Sequence, residues 1–274
     1  MHSYSKKYFS VLSLVAVAVS NGAFARGAFA SDESVKKGLE EATASFARRS
    51  SVDPRPIDQA LSVLQSVEGQ ADDSDLNYDV LILESRAYYW KGVHVVSNDD
   101  KMKIHDLGVK AAERARSSNG DYAEAYYYAG INLARWGEAK GVLASLSRKG
   151  ELENYMNQSM SHATRDEQPG KSIDGNGADR VLGRMYFKLP GIFGGSHDKS
   201  VFHLKRAMAA AKNVALNVVY YAETLSSGNG QEKALAKQIL DELLASDPQS
   251  LNANRIPETL DEFQLARKLR KEIE

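Results

Sequence analysis

Apolar side chains recur at helical spacing through nearly all of this chain, and no stretch alternates apolar with polar residues as a half-buried strand would. Val35, Leu39, Ala42 and Phe46 fall at i, i+4, i+7 and i+11, one face of a helix beginning near Asp32. Ile57, Ala60, Leu61, Leu64 and Val67 form a second stripe, entered through Pro54 and Pro56. Similar stripes occupy 76–91, 101–116, 121–136, 151–163, 177–189, 197–211, 215–227, 231–246 and 257–272. Turn formers separate them, among them Asp72-Asp73-Ser74, Asn119-Gly120-Asp121, Gly228-Asn229-Gly230 and Asp247-Pro248. Eleven helices joined by short turns predict an all-α repeat array.

Helix pairs align on one another. In Ala123 to Gly130 a bulky aromatic precedes a small residue by four, and Gly137 follows seven residues later at a turn position. Leu182-Gly183-Arg184-Met185-Tyr186 has the form L-G-x-x-Y, and Ser200, Leu204 and Ala207 continue it downstream as small, large and small. Both segments resemble the tetratricopeptide repeat. Close approach of two helices needs a small residue opposite a large one, and each pair stays half exposed until a neighbour stacks on it. The small anchors are Ser85, Gly130, Gly183 and Ala222, spaced 45, 53 and 39 residues. The repeat's usual period is about 34, so every unit carries extra loop or helix. The expected architecture is about four repeats with an N-terminal helix pair (32–67) and a C-terminal capping helix. The alternative is a generic helical bundle with coincidental matches.

The first thirty residues read separately. Lys6 and Lys7 precede an apolar run from Tyr8 to Val19, and Ala23-Phe24-Ala25 and Ala28-Phe29-Ala30 both fit an A-x-A cleavage pattern. That layout predicts a signal peptide over 1–30, cleaved after Ala25 or Ala30, and a helical domain over 31–274. The later site leaves Ser31-Asp32 as an N-cap. The run is shorter than the roughly 20 residues a spanning helix needs; the alternative is an uncleaved anchor. Removing Lys6, Lys7 and Arg26 takes the formal charge from −1 to −4. Such a chain is a poor ligand for nucleic acid, which needs clustered positive charge. With no cysteine there is no disulfide, thiolate metal site or thiol to carry a lipid anchor.

Two stretches are more specific. Asp174 to Gly191, leading into Gly194-Gly195-Ser196, and Arg135 to Ala144 together resemble the T-component family of TRAP transporters. The resemblance implies a periplasmic helical-repeat accessory that assists a solute-binding protein, assembled as a homo-oligomer (a trimer enclosing a pore in the type member). Many members carry a lipid-anchor cysteine; its absence here implies a soluble form.

Chemistry is sparse. None of His2, His94, His105, His162, His197 and His203 pairs at the spacing of H-E-x-x-H, and no metal or cofactor site is expected. Asp174-Gly-Asn176-Gly-Ala-Asp179 lacks the alternating oxygens and terminal glutamate of a calcium loop and reads as a turn with an N-cap. The adjacent Ser196, His197 and Asp198 cannot converge as a triad; Ser196 or Asp198 is expected to cap the next helix. The chain is not expected to be an enzyme. Carrying the repeat's groove-facing positions onto it gives candidate ligand contacts at Arg86, Tyr89, Trp90, Tyr127, Arg135, Arg180, Arg184 and Phe187. Arginine forks grip carboxylates and aromatics cover an apolar body, which fits a small organic-acid or hydrophobic ligand. Alternatively the arginines snorkel over core edges and pair with neighbouring acids. Ile192 and Phe193, on a glycine-flanked loop, are candidates for a subunit interface or pore lip, unless Phe193 tucks into the core. A competing function is a repeat scaffold whose groove takes a peptide or protein partner.

Overall fold

The computed structural model describes residues 20–120, 122–165 and 173–273, with side chains from Asp32 onward. Twelve α-helices and three 3-10 turns make up the described residues: α1 (Ser20–Ala47), α2 (Arg55–Val67), α3 (Ser74–His94), α4 (Asn98–Ser118), α5 (Ala123–Lys140), α6 (Lys149–Ser161), α7 (Gly177–Lys188), α8 (His197–Ala210), α9 (Ala215–Ser226), α10 (Gly230–Leu244), the single turn α11 (Pro248–Leu251) and α12 (Ile256–Glu272). Among them there is no strand, only one isolated bridge between Tyr122 and Ala163. The fold is the expected all-α array, with the short α11 as its one additional helix.

The caps follow the sequence. Asp73 accepts from the backbone of Asp75 and Leu76 to start α3, Ser196 accepts from Lys199 N at 3.2 Å to start α8, and Asn229 with Glu232 forms a capping box on α10. Asn176 stands at the α7 N-cap in a left-handed conformation, but its side chain donates to Asp179 Oδ2 at 2.7 Å instead of capping the backbone. The helical backbone of α1 is already in place at Ser20, so Asp32 lies inside a helix in the full chain. Alanine-rich sequence before it favours that extension. Asp32 Oδ1 instead accepts from Asp72 N at 2.9 Å, tying α1 to the turn before α3. The stretch from Lys6 to Val19 lies outside the described residues.

The helices pair as α1/α2, α3/α4, α5/α6, α7/α8 and α9/α10, and each second helix also packs on the first helix of the next pair. The first helices α3, α5, α7 and α9 touch in sequence and form an inner layer; α12 closes the end against α9 and α10. The inner layer is enclosed on several sides, so α9 buries 10 of its 12 residues and α3 (21 residues) buries 12, among them Glu84 and Ser85. Outer helices such as α2 keep a single apolar stripe, Ile57, Ala60, Leu61 and Leu64.

The small anchors face their partner helices as required. A Cβ on Gly183 would lie 2.5 Å from Leu204 Cγ of α8, and one on Gly130 would collide with Met156 of α6. Ser85, fully buried, donates its hydroxyl to Gly108 O of α4 at 2.8 Å. Around it a polar cluster pins three helices. Asn132 of α5 donates to Ser85 Oγ at 3.2 Å and to Tyr128 O at 3.0 Å, and its Oδ1 meets His105 Nδ1 at 3.0 Å. Burial holds the His105 imidazole down to about 4.

Candidate functional site

Between the third and fourth pairs a buried charge network fixes the inner layer. The turn before α7 carries three consecutive residues at positive φ, Asp174 (51°), Gly175 (64°) and Asn176 (62°). Asparagine, aspartate and glycine tolerate that conformation better than other residues. It presents the Asp174 carboxylate to three elements. Oδ2 accepts from Tyr127 OH of α5 at 2.8 Å and from Arg180 of α7; Oδ1 accepts from Arg255, just before α12. Arg180 also donates to Asn217 Oδ1 of α9 at 2.9 Å, and Arg255 to Glu262 Oε1 at 2.8 Å. Asp179, fully buried, takes His203 at 2.7 Å and Arg206 at 3.3 Å from α8. The 174–180 segment is therefore structural: it locks α5, α7, α8, α9 and α12 together.

Above this floor opens a cavity continuous with solvent, about 900 Å³ when the open solvent at its mouth is included. Its walls are α5, α7, the start of α9 and the segment linking α5 to α6. Gly141, at φ 96°, ends α5 and turns the chain back over it. The segment so produced brings Val142 and Leu146 to the cavity and stacks Arg148 on Trp136 at 5.1 Å. Leu133, Trp136 and Met185 continue the apolar lining. Such a site, mostly apolar with a few polar groups, has the ordinary form of a small-molecule pocket.

The charged groups are cationic except for Glu138. Arg135 donates to Glu138 at 2.8 Å and to Tyr220 OH at 3.3 Å, with Tyr89 OH at 3.4 Å. Arg184 stacks on Tyr220 at 4.3 Å and donates its Nη1 to Glu223, while its Nε is buried without a hydrogen-bond partner. Desolvation draws the Arg184 guanidinium below its ordinary range, and draws Lys188 down likewise with help from the Arg184 charge. Burial opposes ionisation of Glu138, but Arg135, Arg184 and Lys188 together hold its carboxyl below the usual range.

Of the eight candidate contacts, Tyr89, Tyr127, Arg135, Arg180 and Arg184 converge on this cavity. Three lie elsewhere. Arg86 is exposed over the rings of Phe46 (5.0 Å) and Tyr128 (5.7 Å). Trp90 is buried in the core, under Arg49 and 4.2 Å from His94. Phe187 lies outside the wall, with Arg184 and Lys188 over its ring. For Trp90 and Arg86 the reason is the N-terminal pair: α1 packs on α3, occupies the face from which Trp90 would otherwise reach a groove, and places Phe46 under Arg86. Arg180 lines the cavity but spends its guanidinium on Asp174, Tyr127 and Asn217: it pairs with a neighbouring acid, as the alternative has it, but as an interior cross-link and not by snorkelling over a core edge. Trp136, Glu138, Val142 and Leu146 were not predicted as contacts, although all four lie in the distinctive stretch 135–144 or just after it.

Ile192 and Phe193 sit on a 3-10 turn, 87% and 40% exposed, so Phe193 does not enter the core. His197 turns to Glu232 at 2.9 Å, and Ser196 caps α8, so these neighbours serve different elements. No group of three potential metal ligands comes together, and no helix is long and apolar enough to cross a membrane, among the described residues.

No curated protein sequence matches the chain. A family model described as the TRAP transporter T-component matches residues 81–274, from within α3 to the end of α12, a span that holds every cavity-lining residue. With more than two-thirds of its length matched, the chain belongs to the TRAP transporter T-component family.

Proposed function

We propose that this TRAP-system accessory component acts in the periplasm as a non-enzymatic binding protein. It takes a small organic-acid or hydrophobic ligand into the cavity between α5, α7 and α9 and passes it to a solute-binding protein. The observation that carries the reading is an apolar cavity whose polar groups are chiefly arginine and lysine, a lining suited to a molecule with an anionic end and an apolar body. Calorimetry with a panel of organic acids and lipid-like acids tests it. Measurable heats that are lost in Arg184→Ala support the reading, and flat heats for every ligand overturn it.

Export, partner and assembly complete the proposal. Mass spectrometry of the protein recovered from a periplasmic extract is expected to give a chain beginning at Ser31 or Arg26. Pull-down from that extract is expected to retain a solute-binding protein; a stoichiometric partner of another kind would favour a peptide- or protein-binding scaffold. A homotrimer with Ile192 and Phe193 at its contacts accounts for two large apolar side chains left in water. Light scattering of an I192S/F193S double variant is expected to show a smaller species than the parent.

A further inference from the structure

The charges around the cavity do not cancel. Arg148 is matched by Glu151 at 2.6 Å, Lys149 by Glu153 at 3.0 Å and Arg180 by Asp174. Arg135, Arg184 and Lys188 share only two carboxylates among the described residues. Glu138 lies 2.8 Å from Arg135 and 3.9 Å from Arg184; Glu223 pairs with Arg184 and, at 3.1 Å, with Lys188. One positive charge is left over. Beside it stands the Arg184 Nε–H, a buried donor with no hydrogen-bond acceptor among the described residues, which is costly for an atom that water does not reach.

An occupant bearing one carboxylate neutralises the surplus and supplies an acceptor. A neutral occupant does neither. An occupant with two carboxylates neutralises the surplus with the first and buries the second against Leu133, Val142, Leu146 and Met185, where an unpaired charge is strongly disfavoured. Those same walls reward an apolar body. We infer that the cavity selects monocarboxylates carrying an aliphatic chain, over dicarboxylates and neutral alcohols of equal length. In the bound state the carboxylate sits on Arg184 with Lys188 and Arg135 beside it. The inference rests on the proposed ligand-binding role of the cavity and fixes the valence and shape of what enters.

The test is calorimetric titration of the protein with three series matched in length: straight-chain monocarboxylates, dicarboxylates with a carboxyl at each end, and primary alcohols. Each added methylene is expected to tighten the monocarboxylates about fourfold until the cavity is full, the equivalent of about 0.8 kcal/mol per buried CH₂. Alcohols and dicarboxylates are each expected to bind at least about tenfold more weakly than the matching monocarboxylate. Alcohols or dicarboxylates that equal the monocarboxylates overturn the inference and leave the cavity a binding site; silence in all three series removes both. Arg184→Met should bring the acids down to the alcohols while alcohol affinity, which reports an intact cavity, stays unchanged. Should that variant lose alcohol binding as well, Glu223→Gln decides. It leaves a second positive charge uncompensated, so dicarboxylates should gain at least about tenfold relative to monocarboxylates, and an unchanged ratio refutes the surplus-charge argument.

Discussion

Asp174→Asn isolates the charge that ties the cavity floor to the capping helix. Asparagine tolerates the left-handed backbone at this position at least as well as aspartate, and its amide oxygen can still accept from Tyr127. What disappears is the negative charge between Arg180, whose side chain is 5% exposed, and Arg255, at 18%. Arg255 keeps Glu262, but Arg180 keeps only neutral acceptors: the Asn217 amide, the Asp174 carbonyl and the Tyr127 hydroxyl. Removing one partner of a buried pair costs about 3–5 kcal/mol. Because Asp174 is itself 20% exposed, the lower end applies, about 3 kcal/mol, or roughly 6–12 °C in Tm for a domain of this size. Urea unfolding followed by circular dichroism measures it, with Asp53→Asn as the control. Asp53 pairs with an Arg55 that is 88% exposed, so that change should leave the unfolding midpoint essentially where it is. If Asp174→Asn costs no more than the control, the network is solvated and the account of the cavity floor is wrong. The m-value adds a second reading. In a stacked array each unit leans on its neighbours, and loss of the tie should let α12 and its neighbours unfold apart from the rest, lowering m.

Three further outcomes follow from the packing and the buried histidine. Gly183→Val drives methyl groups into Leu204, where even a Cβ would lie 2.5 Å from Cγ, and should cost about 2 kcal/mol in chemical denaturation. Gly150→Ala, on α6 with nothing within 4 Å of the added carbon, should instead raise stability by about 0.5 kcal/mol. The folded-state pKa of His105, about 4, lies below its ordinary 6.5, so the unfolded chain binds the proton first as acid is added. Its contribution is complete above pH 6.5 and is lost as pH falls toward 4, by at most about 3 kcal/mol. His105→Gln, which cannot take up that proton, should flatten this part of the stability–pH curve even though it weakens the core.

Helix number, pairing and the small anchors were legible because each rests on local rules. Gly130 and Gly183 stand where only a small side chain lets Met156 and Leu204 approach, and that constraint is written in the residues themselves. The groove assignment was legible in part. Tyr89, Tyr127, Arg135 and Arg184 follow from repeat register, but Trp90 belongs to the core because α1 covers its side of α3. The N-terminal pair departs too far from the repeat for its docking face to be read from sequence. Nor could register reveal that Arg180 is engaged as a cross-link, since its partners Asp174, Tyr127 and Asn217 come from a turn and two other helices. A turn with three residues at positive φ is where that information lies, and it is tertiary.

The length irregularity of the array bears directly on the cavity. A repeat near 34 residues leaves its inner face open as a shallow trough. Here the longest interval between small anchors, 53 residues from Gly130 to Gly183, contains both departures from that plan. One is the segment after Gly141, which supplies Val142, Leu146 and Arg148 as a wall across the trough. The other is the Asp174 turn, which anchors the floor. The cavity is therefore walled on one side because this unit is overlong: Val142, Leu146 and Arg148 come from the added link, while Arg135, Arg184 and Tyr220 come from the repeat helices themselves. Shortening that link is the change that separates fold from site. Replacing 142–147 with a brief polar turn removes Leu146 and Val142 from the lining while leaving the helix-pairing contacts of Gly130 with Met156 intact. Stability should fall little, since loops of this kind contribute mainly to closure entropy. Ligand heats should vanish. If binding survived with the wall gone, the ligand site would have to lie elsewhere on the array.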